Sequence, residues 1–141
     1  MKYALILAAA LTSSCAVAEP LCEMGDAKPV DAFEAVKAAF FAGDFERFAE
    51  IGTTHINGGP ASLGGGVMQL SAAFPNGFES CQTIVQRVDV GGMVQEITTF
   101  NVAGQSRPIA VYMLGAPVRG DIQITDLTFD TTLRAVLDDL L

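Results

Sequence analysis

The sequence has no tryptophan, two tyrosines and one histidine among 141 residues, and 8 lysines and arginines stand against 16 aspartates and glutamates. Each scarcity excludes something. A net charge of −8 argues against nucleic acid, whose phosphates need cationic partners. One imidazole and three scattered cysteines match none of the usual metal-ligand spacings, so neither a metal nor another cofactor is expected. Serine, histidine and aspartate form no recognisable triad, and Gly-x-Ser-x-Gly is absent. No apolar run approaches the ~20 residues that a membrane-crossing helix requires. No internal repeat is present.

The longest apolar run is short and lies at the start. Lys2 precedes the stretch Tyr3 to Leu11, and small residues follow, ending in Ala16-Val17-Ala18. This pattern predicts a secretory signal over residues 1–18, cleaved before Glu19. Acylation of Cys15 as a lipoprotein is the competing outcome, but Thr12 stands three positions before it where leucine is preferred. The overall mean hydropathy of +0.40 is inflated by this segment, in which 14 of the 18 residues are hydrophobic. Its removal takes away Lys2 alone among charged groups, leaving 7 basic against 16 acidic residues, a net charge of −9. Two cysteines then remain, Cys22 and Cys81. In an oxidising compartment they are expected to pair, closing a loop of about 60 residues worth ~4 kcal/mol by chain entropy.

Residues 19–30, punctuated by Pro20 and Pro29, read as an extended strap. Residues 31–141 read as one domain. Asp31 and Glu34 suggest a capping box for a first helix, with Phe33, Val36 and Phe40 on one face. Gly43 supplies its stop, and Asp44 caps a second helix, Phe45 to Ile51. Six glycines, a proline and two threonines predict a loop over 52–66, before a short helix from Val67 to Phe74. The segment Gly58 to Gly66 lacks the lysine and the Ser/Thr ending of a phosphate-binding loop.

Four strands follow: Glu79 to Val90, Met93 to Val102, Pro108 to Leu114 and Asp121 to Phe129. Gly91-Gly92 predicts a two-residue hairpin turn, while 103–106 and Gly115-Ala116-Pro117 predict longer connections. Short connections imply an antiparallel meander. In the second strand Val94, Thr98, Phe100 and Val102 share a parity that Glu96 breaks. In the last, Ile122 and Ile124 take one parity and Leu127 and Phe129 the other, which predicts a bulge around Thr125-Asp126. A closing helix is expected over Thr131 to Leu141. The fold class is therefore α+β, with N-terminal helices on a curved four-stranded antiparallel meander and a short C-terminal helix.

The break Ala42-Gly43-Asp44-Phe45 between helices, and the order of elements from Asp31 to Thr131, resemble the nuclear-transport-factor-two-like, or cystatin-like, α+β superfamily. The resemblance implies a long helix packed in the concavity of a bent sheet. It also implies one of several functions: isomerase- or dehydratase-like catalysis by a carboxylate or a His-Asp pair, small-molecule binding, or association with other chains.

Three residues could carry such chemistry. His55 could titrate near neutral pH, but no spacing gives it an orienting partner, which favours a surface-loop histidine. Asp44 could approach His55 only if the loop folds back. Asp126, beside the inferred bulge, could serve as a base if enclosed, although acidic residues mostly face water. The phenylalanines at 33, 40, 41, 45 and 48 could line a cavity or simply form core. The leading expectation is an exported, non-catalytic binding or interaction protein of the bacterial envelope. Its expected partner is an apolar small molecule or an envelope protein, and a homodimer through the sheet is conceivable. The alternative is an isomerase- or dehydratase-like enzyme using a pocket carboxylate with His55.

Overall fold

The computed structural model describes residues 19–55, 61–138 and 140. Residues 1–18, where a secretory signal and the alternative lipid site Cys15 are expected, lie outside them, as do residues 56–60. The element order is α1 (Asp31–Phe41), α2 (Phe45–His55), α3 (Ala61–Ala73), β1 (Phe78–Val88), β2 (Val94–Val102), β3 (Ile109–Val118), β4 (Asp121–Asp130) and α4 (Leu133–Leu137). The strands form one antiparallel sheet in the order β1-β2-β3-β4, the expected meander, curled around the helices. The α+β class follows directly.

Helix α1 ends where Gly43 adopts φ +72°, a conformation that costs a Cβ-bearing residue. The Gly43 and Asp44 amides donate to the carbonyls of Phe40 and Ala39, both at 3.0 Å, closing a Schellman motif. Asp44 then starts α2, its Oδ1 accepting the Arg47 amide at 3.0 Å. The expected capping box at Asp31 does not form. Val30 occupies the N-cap position without a side-chain bond, Asp31 lies inside the first turn, and Glu34 turns to Lys37 instead.

The expected loop over 52–66 is corrected at both ends. Helix α2 runs on to His55, and α3 begins at Ala61 rather than Val67, taking Gly64, Gly65 and Gly66 into the helix. Helix propensity is low at glycine, yet packing overrides it. A Cβ at Gly66 would stand 3.1 Å from Phe129 Cζ, so glycine lets α3 lie close to the sheet.

Two turns also differ from expectation. The first hairpin uses three residues, Val90-Gly91-Gly92, rather than two: Asp89 accepts the Gly92 amide at 2.8 Å, and Gly92 takes φ +81°. Strand β3 continues through Gly115-Ala116-Pro117 to Val118, and the connection is Arg119-Gly120, both at positive φ. Pro117 is tolerated because β3 pairs with β2 only as far as Gly115, opposite Val94. In β4 the register slips by one residue at Thr125, the expected bulge, which brings Ile122, Ile124, Leu127 and Phe129 into one core. The closing helix is shorter than expected, Leu133–Leu137, since its start is held by a turn at Asp130.

Strand β3 shows why the sheet is two-sided. Its run Ile109 to Met113 is buried at every position, because α1–α3 cover one face and α4 the other. On the larger face the phenylalanines fill the curl. Phe40 sits among Phe48, Phe78 and Phe100 with ring centroids 4.8, 5.1 and 4.7 Å away. On the other face Val136 of α4 packs on Ile97, Ala110 and Tyr112. Gly115 lets α1 approach: a Cβ there would meet Ile122 at 2.5 Å and Phe33 at 3.0 Å.

Both sheet edges are protected. The strap runs beside β1, where Glu23 pairs in parallel with Gln82 and the Cys22–Cys81 disulfide fixes it. At β4 the bulge and the exposed Asp121 and Asp126 discourage strand addition.

Candidate functional site

Between α1 and the sheet lies a buried polar centre. Lys37 and Glu96 are both fully buried, with Nζ 2.9 Å from Glu96 Oε1. Thr83 and Thr98 hydroxyls each lie 3.1 Å from the same oxygen, and the Gln86 amide donates to Glu96 Oε2 at 2.9 Å. Glu34 adds a second carboxylate beside Nζ, a charge contact whose angles fall outside hydrogen-bond geometry. Gln86 also exchanges two bonds with the Lys28 backbone, at 2.9 and 2.7 Å, so the strap is tied to this centre.

Burying two charges is tolerable when hydrogen bonds offset their desolvation: Glu96 accepts from Lys37, Thr83, Thr98 and Gln86, and Lys37 Nζ also reaches Thr83 Oγ1 at 3.4 Å. The arrangement holds α1 in register on the sheet. Lys37 and Glu96 line neither the cleft described next nor the groove beside β1, although Thr83 and Gln86 of the same centre form part of that groove's wall.

That cleft is open, at the edge of the aromatic core. Its volume is about 270 Å³, and its walls are Gln69, Leu70, Ala73 and Phe74 of α3 with Ile109, Phe129, Asp130 and Thr131 of the sheet. Leu70, Phe74 and Ile109 are buried, Phe129 and Asp130 partly so, and Gln69, Ala73 and Thr131 form an exposed rim. An apolar floor with a few polar groups around it is the usual form of a small-molecule site. At the other end of the β3–β4 ladder Val88, Val90, Met93 and Val118 are exposed, Val90 completely, as a scattered apolar tip.

The residues singled out by sequence fall in different places. Asp44 is exposed and engaged as the cap of α2. Asp126 is exposed at the bulge, its Oδ1 accepting the Leu127 amide at 2.8 Å. His55 is the last residue of α2, and its side chain lies outside the described residues. Cys22 and Cys81 are bonded as expected. Among the described residues no group of three His, Cys, Asp or Glu side chains could hold a metal, and no helix is long and apolar enough to cross a membrane.

Sequence reasoning missed Lys37, although a signal existed. Lys37 stands four residues after Phe33 on the apolar stripe of α1, just as Glu96 interrupts the apolar parity of β2. Two opposite charges, each intruding on a buried face, are the mark of a buried pair. The cleft left no such mark, because its walls come from α3 and from the far ends of β3 and β4.

No known protein family matches the chain, and no curated protein matches it.

Proposed function

We propose that the chain is an exported, non-catalytic binding protein whose ligand is an apolar small molecule held in the cleft between α3 and the ends of β3 and β4. The cleft carries this reading: Leu70, Phe74, Ile109 and Phe129 present an apolar floor at a side of the aromatic core that α3 leaves partly open. The filled phenylalanine interior supports it too, since a substrate in the depth of the curl would have to displace Phe40, Phe48, Phe78 and Phe100. The order of elements supports a kinship with the nuclear-transport-factor-two-like superfamily, whose scaffolds include small-molecule binders.

Export rests on the signal-like segment and on the disulfide, which persists in oxidising surroundings. Intact mass checks it. The expected species begins at Glu19 and lacks two hydrogens, whereas a lipid-bearing Cys15 would place the protein on a membrane instead.

Binding is tested by titrating a neutral apolar fluorophore, N-phenylnaphthylamine, into the mature protein. Ala73 is exposed on the rim, so Ala73→Phe fills the cleft without disturbing the core. Saturable fluorescence that Ala73→Phe weakens at least tenfold is the expected result. Absence of saturable binding, or binding indifferent to Ala73→Phe, overturns the assignment.

A further inference from the structure

Resting on the reading of the α3 cleft as the ligand site, we infer that its ligand carries a cationic amine, placed against Asp130. Asp130 is the sole ionisable side chain among the cleft walls. Its Oδ1 accepts the Thr132 amide at 2.6 Å, which fixes the carboxylate at the rim, and no ion pair among the described residues engages it. None of Arg107, Arg119 and Arg134 lines the cleft.

A ligand seated on Phe74 and Phe129 therefore meets one fixed negative charge as it leaves the apolar floor. An ammonium group at that end gains a charge-assisted hydrogen bond, stronger than its neutral counterpart. Aromatic walls also favour cations over anions, because ring faces are electron-rich. A carboxylate at the same position would face Asp130 in a partly desolvated setting. The overall charge adds to the bias at longer range, drawing cations toward an acidic protein at low salt.

The test compares three ligands of nearly equal size, phenylbutylamine, phenylbutanol and phenylbutyrate, by calorimetric titration of the mature protein. The amine is expected to bind about three- to tenfold more tightly than the alcohol, and the acid least tightly. Raising the salt concentration should shrink the amine's advantage while leaving the alcohol unchanged. Asp130→Asn keeps an acceptor for the Thr132 amide but removes the charge, and should level amine and alcohol.

Equal affinity of amine and alcohol for the unaltered protein overturns the inference while the cleft stands, and so does an amine preference that survives Asp130→Asn. If none of the three binds, the cleft itself is not the site and the broader reading fails. Should Asp130→Asn not fold, the amine-to-alcohol ratio and its salt dependence on the unaltered protein still decide.

Discussion

Helices α1 and α3 lie on the same face of the same sheet, but they are seated by different means. Under α1 the seam is closed. Phe33 and Val36 are fully buried, Gly115 permits close approach, and Lys37 locks onto Glu96 within a hydrogen-bonded network that includes Thr83. Under α3 the seam is apolar, approaches the sheet at Gly66, and leaves a cleft of about 270 Å³ beside Leu70 and Phe74. One helix is held by contacts that tolerate no vacancy, and the other by contacts that leave room for a guest. The buried Lys37–Glu96 pair thus holds α1 in register, while the less constrained seam under α3 is the one proposed for binding.

Breaking the α1 lock should have the largest effect. Lys37→Ala leaves Glu96 buried without its cation, and chemical denaturation is expected to show a loss of about 3–5 kcal/mol. Replacing both partners, Lys37→Met with Glu96→Leu, should recover most of that loss. The Thr83 and Thr98 hydroxyls, 3.2 Å apart, still have each other, and Gln86 still has the Lys28 carbonyl. A double variant as unstable as the single one would show that the charges do more than fill and register the seam.

Gly115→Ala probes the same seam by crowding. The new Cβ would press on Ile122 and Phe33, with an expected cost of about 1–3 kcal/mol in denaturant. The corresponding change under α3 should behave differently. At Gly66→Ala a better helix former, worth ~1 kcal/mol, is offset by the tight contact with Phe129, so stability should move by less than about 1 kcal/mol. Because Phe129 walls the cleft, fluorophore affinity should nevertheless fall. Equal destabilisation at Gly115 and Gly66 would erase the contrast between the two seams.

The smallest effect is expected far from both. Arg119 adopts φ 54° in the two-residue turn between β3 and β4, a conformation asparagine accepts more readily. Arg119→Asn should raise the unfolding midpoint by an amount corresponding to about 0.5 kcal/mol, with ligand binding untouched.

What was legible in the sequence follows from how local the cause is. Gly43 and Asp44 announced the α1–α2 break, because a left-handed stop and a side-chain cap need only neighbouring residues. The parity switch in β4 announced the bulge at Thr125, since a period of two records any inserted residue. The disulfide followed from there being two cysteines beyond residue 18. Misread features depended on distant partners. Gly64 to Gly66 look like a loop until Phe129 gives α3 a surface to lie on. Gly115 to Pro117 look like a turn until β4 pairs with them. Lys37 and Glu96 each interrupt an apolar face, and only the fold, by bringing α1 onto β2, makes them a pair. The cleft was hidden for the same reason, as Phe74 and Phe129 are far apart in sequence and only their packing makes a wall.

The contrast between the two seams is tested most directly by following backbone amide NMR signals while phenylbutylamine is titrated into the mature protein. Saturable shifts confined to Gln69–Phe74, Ile109 and Phe129–Thr132 are expected, with the amides of Lys37, Glu96 and Thr98 unmoved. Shifts centred on Lys37 and Glu96, with the α3 cleft silent, would contradict that contrast.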